Sequence, residues 1–83
     1  MPVLNRLQLL GLGFASDMQL AISSCCSFYG ASGITIGQQS RIDDFCVLSA
    51  GLGGISIGRN VHIAVYSSLI GAGRIEVHDF ANI

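Results

Sequence analysis

Aliphatic side chains recur along this chain at a spacing of six, in Ile36-Gly37-Gln38-Gln39-Ser40-Arg41, Ile42-Asp43-Asp44-Phe45-Cys46-Val47, Ile57-Gly58-Arg59-Asn60-Val61-His62 and Ile63-Ala64-Val65-Tyr66-Ser67-Ser68. Each leading aliphatic is followed four positions later by a small or β-branched residue. A period of six fits neither a helix (3.6) nor a simple alternating strand (2). It fits short strands joined by tight corners and wound into a coil, a parallel β-helix of hexapeptides.

The beat predicts inward-facing positions along the chain. The principal series is Ser16, Ile22, Phe28, Ile36, Ile42, Leu48, Ile57, Ile63, Leu69, Val77 and Ile83. Two residues before each stands a second inward position: Phe14, Leu20, Cys26, Ile34, Ser40, Cys46, Ile55, Val61, Ser67, Ile75 and Ala81. Period-2 alternation within a strand puts both members of a pair on one side. The spacing lengthens only from 28 to 36, 48 to 57 and 69 to 77, where glycine-bearing insertions fall at Tyr29–Gly33, Ala50–Gly54 and Ile70–Arg74. Three sides per turn with insertions at one corner describe an all-β triangular prism of about four coils. Equivalent positions then stack in columns: Gly37, Gly58 and His78; Phe45 and Tyr66; Arg41, His62 and Asn82.

Residues 1–13 form a separate cap segment before a repeat domain at 14–83. Val3 to Leu12 is too short to span a bilayer and carries Asn5, Arg6 and Gln8 without a signal-peptide cleavage site. It reads as a short helix with Leu4, Leu7, Leu10 and Leu12 packed on the end of the prism; an interfacial membrane contact is the alternative. A solenoid needs caps, and the repeat is still in progress at Ile83, so self-association or a missing C-terminal region is expected.

Composition narrows the function. The chain of 83 residues is 51% hydrophobic and 11% charged, with net charge −1 and four Lys plus Arg. That leaves no basic patch for nucleic acid. Three cysteines match neither a paired disulfide framework nor a zinc motif, and Cys26 and Cys46 fall on inward positions while Cys25 faces out. Reduced thiols suit a cytoplasmic protein. The glycine clusters precede no helix in a βαβ unit and are not dinucleotide fingerprints. Asp43 and Asp44 are adjacent and therefore face different ways; Asp43 reads as a corner residue.

The phrases Leu12-Gly13-Phe14, Ser27-Phe28-Tyr29-Gly30, Arg41 to Ser49, Val61-His62-Ile63-Ala64, Tyr66-Ser67 and Ile75 to Phe80 resemble the left-handed β-helix, or hexapeptide-repeat, acyltransferases. Within that superfamily they look most like sugar O-acetyltransferases of the galactoside, maltose and O-antigen type. The resemblance implies a left-handed coil, a homotrimer with active sites between prisms, and acetyl-CoA as co-substrate. It also implies O-acetylation of a sugar or similar hydroxyl. Relatives of this kind are typically more than twice as long, so the chain reads as C-terminally truncated.

Transfer to a hydroxyl needs a general base, and His suits that role at neutral pH. His62 faces outward between Arg41 and Asn82, which makes it the catalytic candidate and makes Arg41 and Asn82 candidate substrate-binding residues. Against this stands a surface or interface histidine without a chemical role. His78 reads as an exposed corner residue. No metal is expected: γ-class carbonic anhydrases place a three-His zinc site on the same prism, whereas this chain has two His in different columns. The alternative to an enzyme is a non-catalytic trimeric scaffold.

Overall fold

The computed structural model describes residues 1–14 and 19–83. Ser16, an expected inward position, lies outside the described residues. The short strands are β1 (Ala21–Ile22), β2 (Ser27–Tyr29), β3 (Ile34–Ile36), β4 (Arg41–Ile42), β5 (Val47–Ala50), β6 (Ile55–Ile57), β7 (His62–Ile63), β8 (Ser68–Gly71) and β9 (Ile75–Val77). They form three parallel sheets in the orders β1-β4-β7, β2-β5-β8 and β3-β6-β9, so each sheet takes one strand from every coil. This is the parallel β-helix expected from the hexapeptide beat, consistent with the left-handed coil that the resemblance implies.

Register follows the repeat. Ile22, Ile42 and Ile63 stack on one side of the prism, Phe28, Leu48 and Leu69 on the second, and Ile36, Ile57 and Val77 on the third. A one-residue slip would turn every one of these side chains out to water. Ile22, Ile42, Leu48 and Ile63 are completely buried, and Cys46, Ser40 and Val61 fill the narrower second positions. Burial is worth about 1.5–3 kcal/mol for each large aliphatic, so this axial stack is the main source of stability. Buried Ser40 is satisfied because its hydroxyl donates to the Gly58 carbonyl at 2.8 Å and accepts from the Val61 amide at 3.2 Å.

The longer insertions do fall at one corner, between β2 and β3, β5 and β6, and β8 and β9. Close stacking of coils makes glycine necessary at Gly37, where a Cβ would lie 2.5 Å from the Gly58 carbonyl carbon. The other corners turn through left-handed residues. Phe45 and Tyr66 both have positive φ (62° and 64°), and their exposed rings stack at 5.3 Å.

The N-terminal segment caps the prism differently from expectation. Helix α1 (Arg6–Gly11) starts with a reciprocal capping box between Asn5 and Gln8. Leu9 is its buried residue at 5% exposure, with Leu4 and Leu12 packed beside the core; Leu7 and Leu10 stand 78% and 52% exposed. The helix rests on one narrow stripe because Val3 first pairs with Ser23 and the Leu4 amide donates to the Ile22 carbonyl, which fixes where the helix begins. At the opposite end Ile83, expected inside, is 47% exposed, since among the described residues no strand lies over it.

Candidate functional site

The outer face of β4 and β7 carries the polar column. In-register pairing sets Arg41 directly beside His62, and a main-chain bridge sets His62 beside Asn82. Ile42 and Ile63 are buried between these outward residues, so the flanking side chains must project to solvent. Asn82 joins the column through its backbone and leaves its side chain exposed.

The residue that completes the site is Asp43. It follows β4, on the same outward side as Arg41, and its side chain is only 16% exposed. Its Oδ1 accepts from Arg41 Nε at 2.6 Å, and its Oδ2 lies 2.9 Å from His62 Nε2. These hydrogen bonds, from His62 first and Arg41 second, outweigh desolvation and hold the Asp43 carboxyl below its ordinary pKa. Ionised at neutral pH, the carboxylate only accepts, so His62 Nε2 carries the proton and the Nδ1 lone pair is the free basic site. The His62 side chain is 42% exposed.

The hexapeptide beat makes Asp43 a corner residue, yet its spacing carries a second signal. It lies two positions after Arg41, and Arg41 shares a column with His62. Asp44 turns elsewhere, as its adjacency to Asp43 required: its carboxylate accepts from the Ser23 hydroxyl. Beneath the pair, the Cys26 thiol donates to the Asp43 carbonyl at 2.9 Å and the Cys46 thiol to the Ala64 carbonyl at 3.0 Å. Burial raises the Cys26 pKa, which keeps it a thiol and a donor. Cys25 is exposed and Cys46 buried, as the beat requires.

His78 lies apart, beside a shallow open depression lined by Ser56, Gly58, Glu76, His78 and Asp79. Glu76 there accepts from Arg74 Nε at 2.5 Å, with His78 Nε2 at 3.4 Å. Among the described residues no group of three His, Cys, Asp or Glu is placed to hold a metal, and no helix is long and apolar enough to cross a membrane.

Three in-register parallel ladders built from hexapeptides define the class: this is a hexapeptide-repeat parallel β-helix protein. Along its whole length, 84 aligned positions, the chain is 52% identical to dTDP-4-amino-4,6-dideoxy-D-glucose acyltransferase of Escherichia coli. It spans 44% of that relative's length. No family model matches the chain, and no solved structure does.

Proposed function

We propose that this chain carries the acid–base apparatus of an acetyl-CoA-dependent sugar acetyltransferase, with His62 as general base. The observation that carries the reading is the 2.9 Å contact between His62 Nε2 and the ionised Asp43 carboxylate. It fixes one tautomer and aims the opposite nitrogen outward, as base catalysis demands. The name of the Escherichia coli relative supports a nucleotide-linked amino sugar as acceptor. An amine is a stronger nucleophile than the hydroxyl expected from the sequence, so the amino group of such a sugar is the favoured attacking atom.

In the transfer, the acceptor nitrogen bonds to the thioester carbonyl carbon and His62 Nδ1 takes the proton that the nitrogen loses. The carbon–sulfur bond then breaks, and the departing thiolate recovers the proton from the imidazolium. Asn82 and the outer nitrogens of Arg41 line the same strip and contact the sugar. The protein acts as a homotrimer in the cytoplasm. The exposed stacked pair Phe45 and Tyr66, with Val65 at 49% exposure, offers an apolar corner near the strip for a neighbouring copy.

Release of free thiol from acetyl-CoA in the presence of dTDP-4-amino-4,6-dideoxy-D-glucose tests the reading. Wild type should turn over and His62→Ala should not. Absence of turnover in the wild type at saturating substrates would reject it in favour of a non-catalytic scaffold.

A further inference from the structure

We infer that Arg41 is a positioning residue that acts on His62 through Asp43. This deepens the reading of His62 as base and rests on it.

Three observations carry it. First, Arg41 and Asp43 alternate around buried Ile42, so their side chains leave the same face of the turn. Second, register places Arg41 beside His62, which sets two basic side chains next to each other with the Asp43 carboxylate joining them. Third, the carboxylate is divided: Oδ1 goes to Arg41 Nε at 2.6 Å and Oδ2 to His62 Nε2 at 2.9 Å.

An aspartate held by one partner alone samples other staggered rotamers and leaves that partner part of the time, freeing the ring to take either tautomer. The short charge-assisted bond from Arg41 removes this freedom and assigns Oδ2 to the imidazole. Arg41 thus fixes the His62 tautomer without touching the ring. The contact uses Nε, and the side chain is 57% exposed, so the terminal guanidinium nitrogens remain open to solvent. Among the described residues, the charged and titratable side chains bonded to Asp43 are Arg41 on β4, two positions before it, and His62 on β7; the Cys26 thiol meets only its carbonyl.

Nitrogen-15 spectra of the His62 ring and a carbon-13 titration of the Asp43 carboxyl, in wild type, Arg41→Gln and Arg41→Lys, test the inference. Wild type should show the Nε2–H tautomer. Arg41→Gln should show both tautomers and an Asp43 pKa moved up toward the ordinary value. Arg41→Lys, which keeps the charge but not the planar donor, should fall between them. With acceptor and acetyl-CoA, Arg41→Gln should lower kcat by about 10-fold to 100-fold, in addition to any rise in acceptor KM from the lost sugar contact. A wild-type tautomer and Asp43 titration retained in Arg41→Gln would overturn the inference, as would a loss confined to KM. The ring and carboxyl spectra need no turnover, so an inactive wild type would reject the acetyl-transfer reading while the positioning role is still decided.

Discussion

The prism carries two clusters of the same charge types, Arg41–Asp43–His62 and Arg74–Glu76–His78, and they differ in how the chain assembles them. The second is local: Arg74, Glu76 and His78 alternate along β9 and its flanks, and all three point outward by strand periodicity alone. The first is assembled across coils, because His62 comes from β7 while Arg41 and Asp43 belong to the β4 turn. The outcome differs accordingly. The Asp43 side chain is 16% exposed and 2.9 Å from its histidine, whereas Glu76 is 48% exposed and 3.4 Å from His78, itself 83% exposed. Side chains that share a strand are held mainly by their own rotamers. Side chains brought together by a sheet ladder also inherit the rigidity of the buried residues beneath them, here Ile42 and Ile63. Charge type therefore does not distinguish the two clusters; the contact across coils that one of them makes does.

Removing each histidine should break the comparison most clearly. His62→Ala is expected to reduce acyl transfer by about 10²–10⁴-fold, while His78→Ala should stay within about twofold, as measured by initial rates of thiol release. Equal losses would place both clusters in the reaction. Next in size is the support beneath them. Ile42→Ala, at the completely buried axis under the first cluster, should cost about 2–5 kcal/mol in denaturant unfolding. Ile75→Ala, at a half-buried site under the second, should cost clearly less.

Acid sharpens the contrast further. The Asp43 carboxyl is depressed in the folded protein, so its pairing stabilises the fold fully above the ordinary aspartate pKa of about 3.9. That contribution disappears as pH falls through the lower, folded-state value. The melting temperature of Asp43→Asn should therefore lie below wild type at neutral pH and converge with it in acid. Glu76 is depressed in the same direction by Arg74 and then His78, but it is exposed to solvent and salt. Glu76→Gln should show a smaller difference that added salt erases. Smallest of all, Arg74→Gln should change stability by no more than about 0.5 kcal/mol.

The outer column is legible in the sequence because the hexapeptide beat also sets which residues face out. Arg41, His62 and Asn82 followed from counting. Asp43 was assigned to a corner because its position in the hexapeptide is a turn position, and backbone position alone does not say where a carboxylate reaches. The helix stripe departs from the apolar spacing for a related reason. Leu7 and Leu10 lie on a plausible apolar face, yet the pairing of Val3 with Ser23 sets the helix so that Leu9 meets the core. Likewise Ile83 obeys the beat and is still exposed, since burial in a solenoid depends on a neighbouring coil as well as on the residue itself.

By itself the sequence determined the all-β coil, its three sides, the corner that takes insertions and the columns, because these depend on periodicity and on the burial of aliphatic side chains. Tertiary structure alone decided which polar residues in those columns bond to one another. That choice depends on distances of a few tenths of an ångström between side chains on adjacent coils, and a repeat of six residues carries no information at that scale. Asp43 joined to His62 at 2.9 Å, with Arg41 on its other oxygen, is the result of that choice.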